Sequence, residues 1–195
     1  MQHKEKKLSN PLAGRVPTEV IVGVTGSIAA YKACDLVSGL RKLPANVTVV
    51  LTKEASKFVT PLTFQTLSGN PVTDDMFSLP EEWEPVHISI ADRASLVVVA
   101  PATANLIGKI ANGICDDLLT CVLLSTKSPI LICPAMNCNM YTNRLVQDNI
   151  SKLKRLGYHF LGPVKGHLAC GYEGMGRLVD VEQIIDEAKR FLRKS

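Results

Sequence analysis

A chain of 195 residues with 46% hydrophobic but only 5% aromatic side chains has room for one domain of ordinary size, cored by Val, Ile, Leu and Ala. Charged residues make up 21% of it, a globular proportion that argues against global disorder. The net charge of +4 is concentrated in the ends (Lys4, Lys6, Lys7; Lys189, Arg190, Arg193, Lys194), and no dense basic stripe or interleaved aromatics mark a nucleic-acid partner.

The cysteines at 34, 115, 121, 133, 138 and 170 include no C-x-x-C pair, so neither a zinc ribbon nor a dithiol motif is expected, and no metal. Cys121 and Cys133 lie within apolar runs, where a thiol behaves as a small hydrophobe. The first 17 residues lack the apolar centre of a secretory signal. Nor does any apolar run approach the roughly 18 residues that span a bilayer. A reducing, cytoplasmic setting without membrane attachment is the expectation.

In chain order, residues 1–18 read as a charged, flexible leader and residues 19–195 as the folded domain. Val20 to Val24 is a strand buried on both faces, followed by a helix from about Ser27 to Lys42. Val47 to Leu51 is a second strand, followed by a helical start from Lys53 to Phe58 and a short helix from Pro61 that ends at Gly69. Residues 70–86 read as irregular. Leu96 to Ala100 is a strand that Pro101 should stop, with helices over 103–111 and 116–125 after it. Ile130 to Cys133, closed by Pro134, is the fourth strand and Tyr158 to Leu161 the fifth, with a helix over 143–156 between them. Residues 162–177 read as a glycine-rich loop, and Val181 to Leu192 as the last helix. Apolar strands alternating with helices predict an α/β fold: a doubly wound parallel sheet in a three-layer α/β/α, Rossmann-like (flavodoxin-like) single domain. Ligands of such sheets bind beyond the carboxyl ends of the strands.

Four motifs fall at those ends. Thr25-Gly26-Ser27 follows the first strand without the G-x-G-x-x-G spacing; it can hold a phosphate at a helix start or simply cap the helix. Thr103 and Asn105 offer donors after the third strand, and Thr103 can equally be a cap. In Pro134-Ala-Met-Asn-Cys-Asn-Met-Tyr141, Asn137 can grip a carboxylate, while the methionines also suit a core-filling turn. Cys170, among glycines at 166, 171, 174 and 176, is either an incidental surface thiol or an acid on a loop that closes over a ligand. The chemistry of His87 alone does not distinguish it from the other histidines.

Taken together, GSIAAYK, PAMNCNMY and ACGYEGMGRL resemble the homo-oligomeric flavin-containing cysteine decarboxylase family, over about Val20 to Asp180. The resemblance implies FMN held by Gly26, Ser27, Ile28, Thr52 and Lys53, with Phe58 nearby, and by Thr103, Ala104, Asn105, Leu106 and Ala135. It implies that His87, Asn137 and Cys170 are catalytic, and that Asn137, Met140 and Ala169 contact substrate. Where the family commonly has a basic residue before Trp-Ala-Asp, this chain has Ala91-Asp-Arg-Ala-Ser95, which leaves Arg93 as the candidate for the substrate phosphate. The implied reaction is FMN-dependent decarboxylation of 4′-phospho-N-pantothenoylcysteine to 4′-phosphopantetheine in coenzyme A biosynthesis. A trimer or multiple of trimers is implied, with the site at a subunit boundary. Bacterial fused enzymes of this kind carry a second, ligase domain, for which 195 residues leave no room, so a stand-alone decarboxylase is the expectation. Oxidation of the substrate thiol to a thioaldehyde lets sulfur accept the electrons freed with CO2, and Cys170 would return a proton. Competing readings are a peptidyl-cysteine decarboxylase, a flavin prenyltransferase, a phosphatase-regulating subunit, or a flavodoxin-like electron carrier. The Cys170 segment argues against the first two, retention of His87 and Cys170 against the third, and the positive charge against the last.

Overall fold

Apolar runs without polar alternation can be accommodated only where a sheet is covered on both faces. In a computed structural model, which describes residues 18–72, 85–167, 169, 171 and 173–193, such runs form the sheet interior. Its strands are β1 (Glu19–Val24), β2 (Asn46–Leu51), β3 (Leu96–Ala102), β4 (Ile130–Pro134) and the edge strand β5 (His159–Phe160). All pair in parallel in the order β2-β1-β3-β4-β5, with Val22 beside both Val49 and Val98, and Val98 beside Leu131.

Alternate strand residues face opposite helical layers. Val20, Val22, Val24, Val49 and Val98 pack toward α1 (Lys32–Leu40), α2 (Pro61–Ser68) and α8 (Val181–Leu192). Ile21, Val97, Val99 and Ile132 pack toward α3 (Val86–Arg93), α4 (Ala104–Ala111), α5 (Leu118–Ser125) and α7 (Arg144–Arg155). The caps are local. Gly69 ends α2 at φ +70°, a conformation glycine adopts without steric penalty. Asp117 and Thr120 form a reciprocal capping box at the start of α5. No helix among the described residues is long and apolar enough to cross a membrane.

Several sequence expectations are corrected. Residues 28–31 form a 3-10 turn ahead of α1, which ends at Leu40 rather than Lys42, and the helical start after β2 is only a 3-10 turn at Ala55–Lys57. Pro101 does not stop β3, which runs on to Ala102, whereas Pro134 is the last residue of β4. Proline lacks only a donor, and the Pro101 carbonyl still accepts from the backbone and side chain of Thr25. Helix α3, whose turns bury Ile90 and Ala91, occupies a stretch before β3 for which the sequence predicts no element. A short helix, α6 (Cys138–Thr142), lies within the Asn137 motif. The glycine-rich segment contains an antiparallel hairpin, β6 (Val164–His167) with β7 (Glu173–Arg177). The leader, apart from Thr18, lies outside the described residues, as do residues 73–84.

Close approach of α5 to the sheet depends on one small residue: a Cβ at Gly23 would stand 2.6 Å from Leu119 Cδ1. Gly23→Ala should cost about 1–3 kcal/mol by overpacking, and Leu119→Ala about 2–5 kcal/mol by leaving a cavity. The double variant should be less destabilised than the sum, because each change relieves the other. Urea denaturation of all three variants tests this; strictly additive losses would mean the two side chains do not compete for one space.

Candidate active site

The chain reverses its direction of travel across the sheet between β1 and β3, so their carboxyl ends diverge and leave a crevice. Thr25, the buried residue after β1, joins the two ends. Its Oγ1 donates to the Pro101 carbonyl at 2.7 Å and accepts from the Thr103 N–H at 3.0 Å. Hydroxyls then cap each of the elements leaving the crevice. Ser27 Oγ accepts from the Ala29 N–H, Thr52 Oγ1 from the Ala55 N–H, and Thr103 Oγ1 from the Leu106 N–H.

These caps surround a first lobe of about 330 Å³. Gly26 forms part of its wall and packs so closely on Glu54 that a Cβ would stand 2.4 Å from Glu54 Cβ. The first-turn amides of α4 and the positive end of its dipole favour an anionic group here. Lys109 and Asp117 stand at the rim, with Lys109 Nζ 2.7 Å from Asp116 Oδ1 and 3.0 Å from Asp117 Oδ2. The Lys109 hydrogen bond holds the Asp116 carboxyl below its ordinary pKa. Cys133, buried in β4 beneath this edge, has its thiol pKa pushed up by desolvation and fills space as an inert hydrophobe.

A second lobe of about 500 Å³ shares Ser27, Ala135 and Met136 with the first. Asn137 lies on its wall, and Asn137 Oδ1 accepts from the Asn139 N–H at 2.8 Å, which caps α6. The opposite wall comes from the hairpin: His167, Ala169, Gly176 and Arg177. Hairpin and Asn137 loop are fastened together, because the Met136 N–H donates to the Gly176 carbonyl at 3.0 Å. Gly176 sits at φ +153°, and a Cβ there would lie 2.1 Å from the Met136 oxygen.

The structure gathers most of the residues expected from sequence. Gly26, Ser27, Thr52, Thr103, Ala104, Asn105, Leu106, Ala135 and Met140 line the first lobe. Ile28, Asn137 and Ala169 line the second, together with Ser27 and Ala135. Lys53 and Phe58 are exposed and line neither lobe. His87, half-buried, and Arg93, exposed, lie on α3 outside both lobes. Cys170 lies outside the described residues.

Sequence reasoning missed Thr25, Glu54, Lys109, Asp117 and Met136 in the first lobe, and Tyr31, Lys32, His167, Gly176 and Arg177 in the second. Thr25 had a signal, a lone hydroxyl ending an apolar strand. Lys109 and Asp117 had none, since only the fold closes the connection between α4 and α5 onto the lobe.

Comparison with known proteins identifies the chain's relatives. The model of the Flavoprotein family matches residues 10–193. The Coenzyme A biosynthesis bifunctional protein CoaBC of Bacillus subtilis (strain 168) is 50% identical over 171 residues, 88% of this chain and 42% of that protein. Its namesake from Vibrio vulnificus (strain YJ016) is 42% identical over 182 residues, 93% of this chain and 45% of that protein. The chain thus spans less than half the length of the curated relatives it matches. A solved PPC decarboxylase variant complexed with pantothenoylaminoethenethiol superposes with a TM-score of 0.83 at 30% identity, over 91% of this chain and 99% of that one. The FMN binding protein AtHal3 gives 0.82 at 30% identity, over 93% and 99%.

Thr25→Val keeps the shape of the side chain but removes the hydroxyl between the strand ends. Leaving the Pro101 carbonyl one partner short and the Thr103 N–H unpaired should cost about 2 kcal/mol. Chemical denaturation measures the loss, and wild-type stability in this variant would show that the bridge is not holding the crevice.

Proposed function

The chain belongs to the Flavoprotein family, and from that premise we propose that it holds FMN in the first lobe and decarboxylates 4′-phospho-N-pantothenoylcysteine to 4′-phosphopantetheine where the two lobes meet. The observation that carries this reading is the shared wall of Ser27, Ala135 and Met136 between an anion-favouring lobe and a lobe lined by Asn137. A cofactor in one lobe and a substrate in the other would both touch these three residues. The match to the bifunctional relatives covers less than half of their length. The likeness to a PPC decarboxylase supports decarboxylation as the activity of the matched part.

The residues present fit FMN. Gly26 lines the lobe, and the starts of the Ser27 turn and of α4 present amides suited to a phosphate. Thr52, Asn105 and Ala135 would complete the cradle. When bound, FMN supplies reversible two-electron chemistry that lets sulfur take up the electrons released with CO2, which a bare cysteine carboxylate cannot achieve.

The chain supplies position and protons. Asn137, held by its N-capping bond, presents a neutral amide that can bind a carboxylate without stabilising it as a cation would. Met136 and Ala135 exclude water from the same wall. Cys170, between β6 and β7 in sequence, would give a proton to the product; an ordinary thiol, of pKa about 8.5, still carries one at neutral pH. Ile28 (57% exposed), Tyr31 (58%) and Met140 (48%) form an apolar rim that a second copy of the chain would cover. In a trimer, or a multiple of one, His87 and Arg93 would then serve a neighbour's cleft rather than their own.

The protein should purify yellow and release CO2 from 4′-phospho-N-pantothenoylcysteine. A colourless protein that gains no flavin absorbance on adding FMN would sink the reading. Asn137→Asp should retain flavin but lose at least a hundredfold in turnover, since a second carboxylate repels the substrate's in a water-poor cleft. His87→Asn should also be inactive. Co-expressing these two variants should restore part of the CO2 release, because a mixed assembly contains some boundaries with both native residues. Two inactive variants that never complement would place His87 and its cleft in one chain, or remove His87 from the reaction.

A further inference from the structure

Arg177 closes β7 at the wall of the second lobe, and its Nε is buried without a hydrogen-bond partner. A guanidinium is always charged and has five N–H donors in a rigid fork. Leaving one of them desolvated and unpaired is costly, so such a donor is conspicuous in a cavity wall. Among the described residues Nη2 has the one partner, Asp180 Oδ1 at 3.2 Å, across a solvent-exposed ion pair.

The placement of the group is built rather than incidental. A Cβ at Gly166, across the hairpin, would come within 3.0 Å of Arg177 Cδ and Nε, so the stem rests on bare backbone. The next residue back, Gly176, is bonded to Met136. Arg177 and Asn137 are therefore held in one frame, two short backbone steps apart across that bond. The charge of the lobe points the same way: among the described residues Lys32, His167 and Arg177 line it, and no carboxylate does.

We propose that Arg177 holds an anionic oxygen of the substrate, with Nε as the donor that bond completes. This rests on the functional reading above and deepens it, since it assigns a substrate-binding role to a residue outside α3, where Arg93 had been the candidate. The substrate carries two anionic groups, a phosphate at one end and the departing carboxylate at the other. The chemistry required of Arg177 is the same for both, and the experiment separates them.

The flavin-loaded protein and its Arg177→Gln variant are titrated calorimetrically with 4′-phosphopantetheine, which keeps the phosphate but has lost the carboxylate, and with pantetheine, which has neither. KM for 4′-phospho-N-pantothenoylcysteine is measured alongside. If Nε serves the phosphate, Arg177→Gln weakens 4′-phosphopantetheine binding at least tenfold, leaves pantetheine unchanged and raises KM. If it serves the carboxylate, both products bind as before and only KM rises, again at least tenfold. Arg177→Lys, which keeps the charge but not the fork, should recover less than half of the loss in free energy. Flavin content and melting temperature confirm that each variant is folded, and Gly166→Ala, which crowds the guanidinium without removing it, provides an independent perturbation in the same direction. Unchanged product affinities together with unchanged KM in Arg177→Gln overturn the proposal. Wild-type protein that binds 4′-phosphopantetheine but releases no CO2 overturns the functional reading instead, and the titration then still decides whether Arg177 holds the phosphate.

Discussion

The carboxyl ends of β1 and β3 must separate for anything to bind between them, and a parallel sheet gives them no reason to stay in register once they do. Thr25 supplies that reason. A single hydroxyl donates to Pro101 and accepts from Thr103, so the turn entering the first helical segment and the start of α4 are fixed relative to each other at their origin. Every group on the floor of the first lobe inherits its position from this bridge. Ser27 and Thr103 can cap their turns toward the same space only because the strands beneath them end at a common level.

A division of labour follows between the two ends of the sheet. At the amino end of β1 the buried Glu19 carboxylate accepts from Asn46 and Thr48, and Asn46 is held in turn by Asn70. That network is closed on itself, its polar groups satisfied by neighbours. At the carboxyl end, polar groups are instead presented to a cavity: first-turn amides, the Asn137 amide and the Arg177 guanidinium. Polar groups at the amino end close a network among themselves, and those at the carboxyl end line a cavity.

Those parts of the molecule governed by burial were legible in the sequence. Val20 to Val24 and Leu96 to Val99 have no polar position on either face and can hardly be other than central strands, and the helices with their caps follow. The residues at the strand ends were therefore legible as well, including Gly26, Thr103 and Asn137. What escaped was decided by tertiary contact. The segment from Val164 to Arg177 is dense in glycine and shows no strand period, yet it forms a hairpin because the Asn137 loop offers it a surface and a backbone partner. Helix α3 was hidden for a different reason: its buried Ile90 and Ala91 are too few to announce a helical face, and packing against α5 completes it. Arg177 was visible as a letter in a motif, but only coordinates reveal which of its nitrogens lacks a partner.

The wall of Ser27, Ala135 and Met136 has two sides, and this has a thermodynamic corollary. Occupants on either side of so thin a partition cannot bind as strangers. Whatever factor the first contributes to the affinity of the second is returned to it by reciprocity. A small molecule settling in the hairpin lobe would slow the escape of whatever fills the lobe beneath it, by tightening the walls they share. Loss of the deeper occupant would conversely loosen the outer one by the same factor. Retention of a non-covalent cofactor in a cell would then be governed partly by traffic through the outer lobe: a working protein would hold its cofactor longer than an idle one.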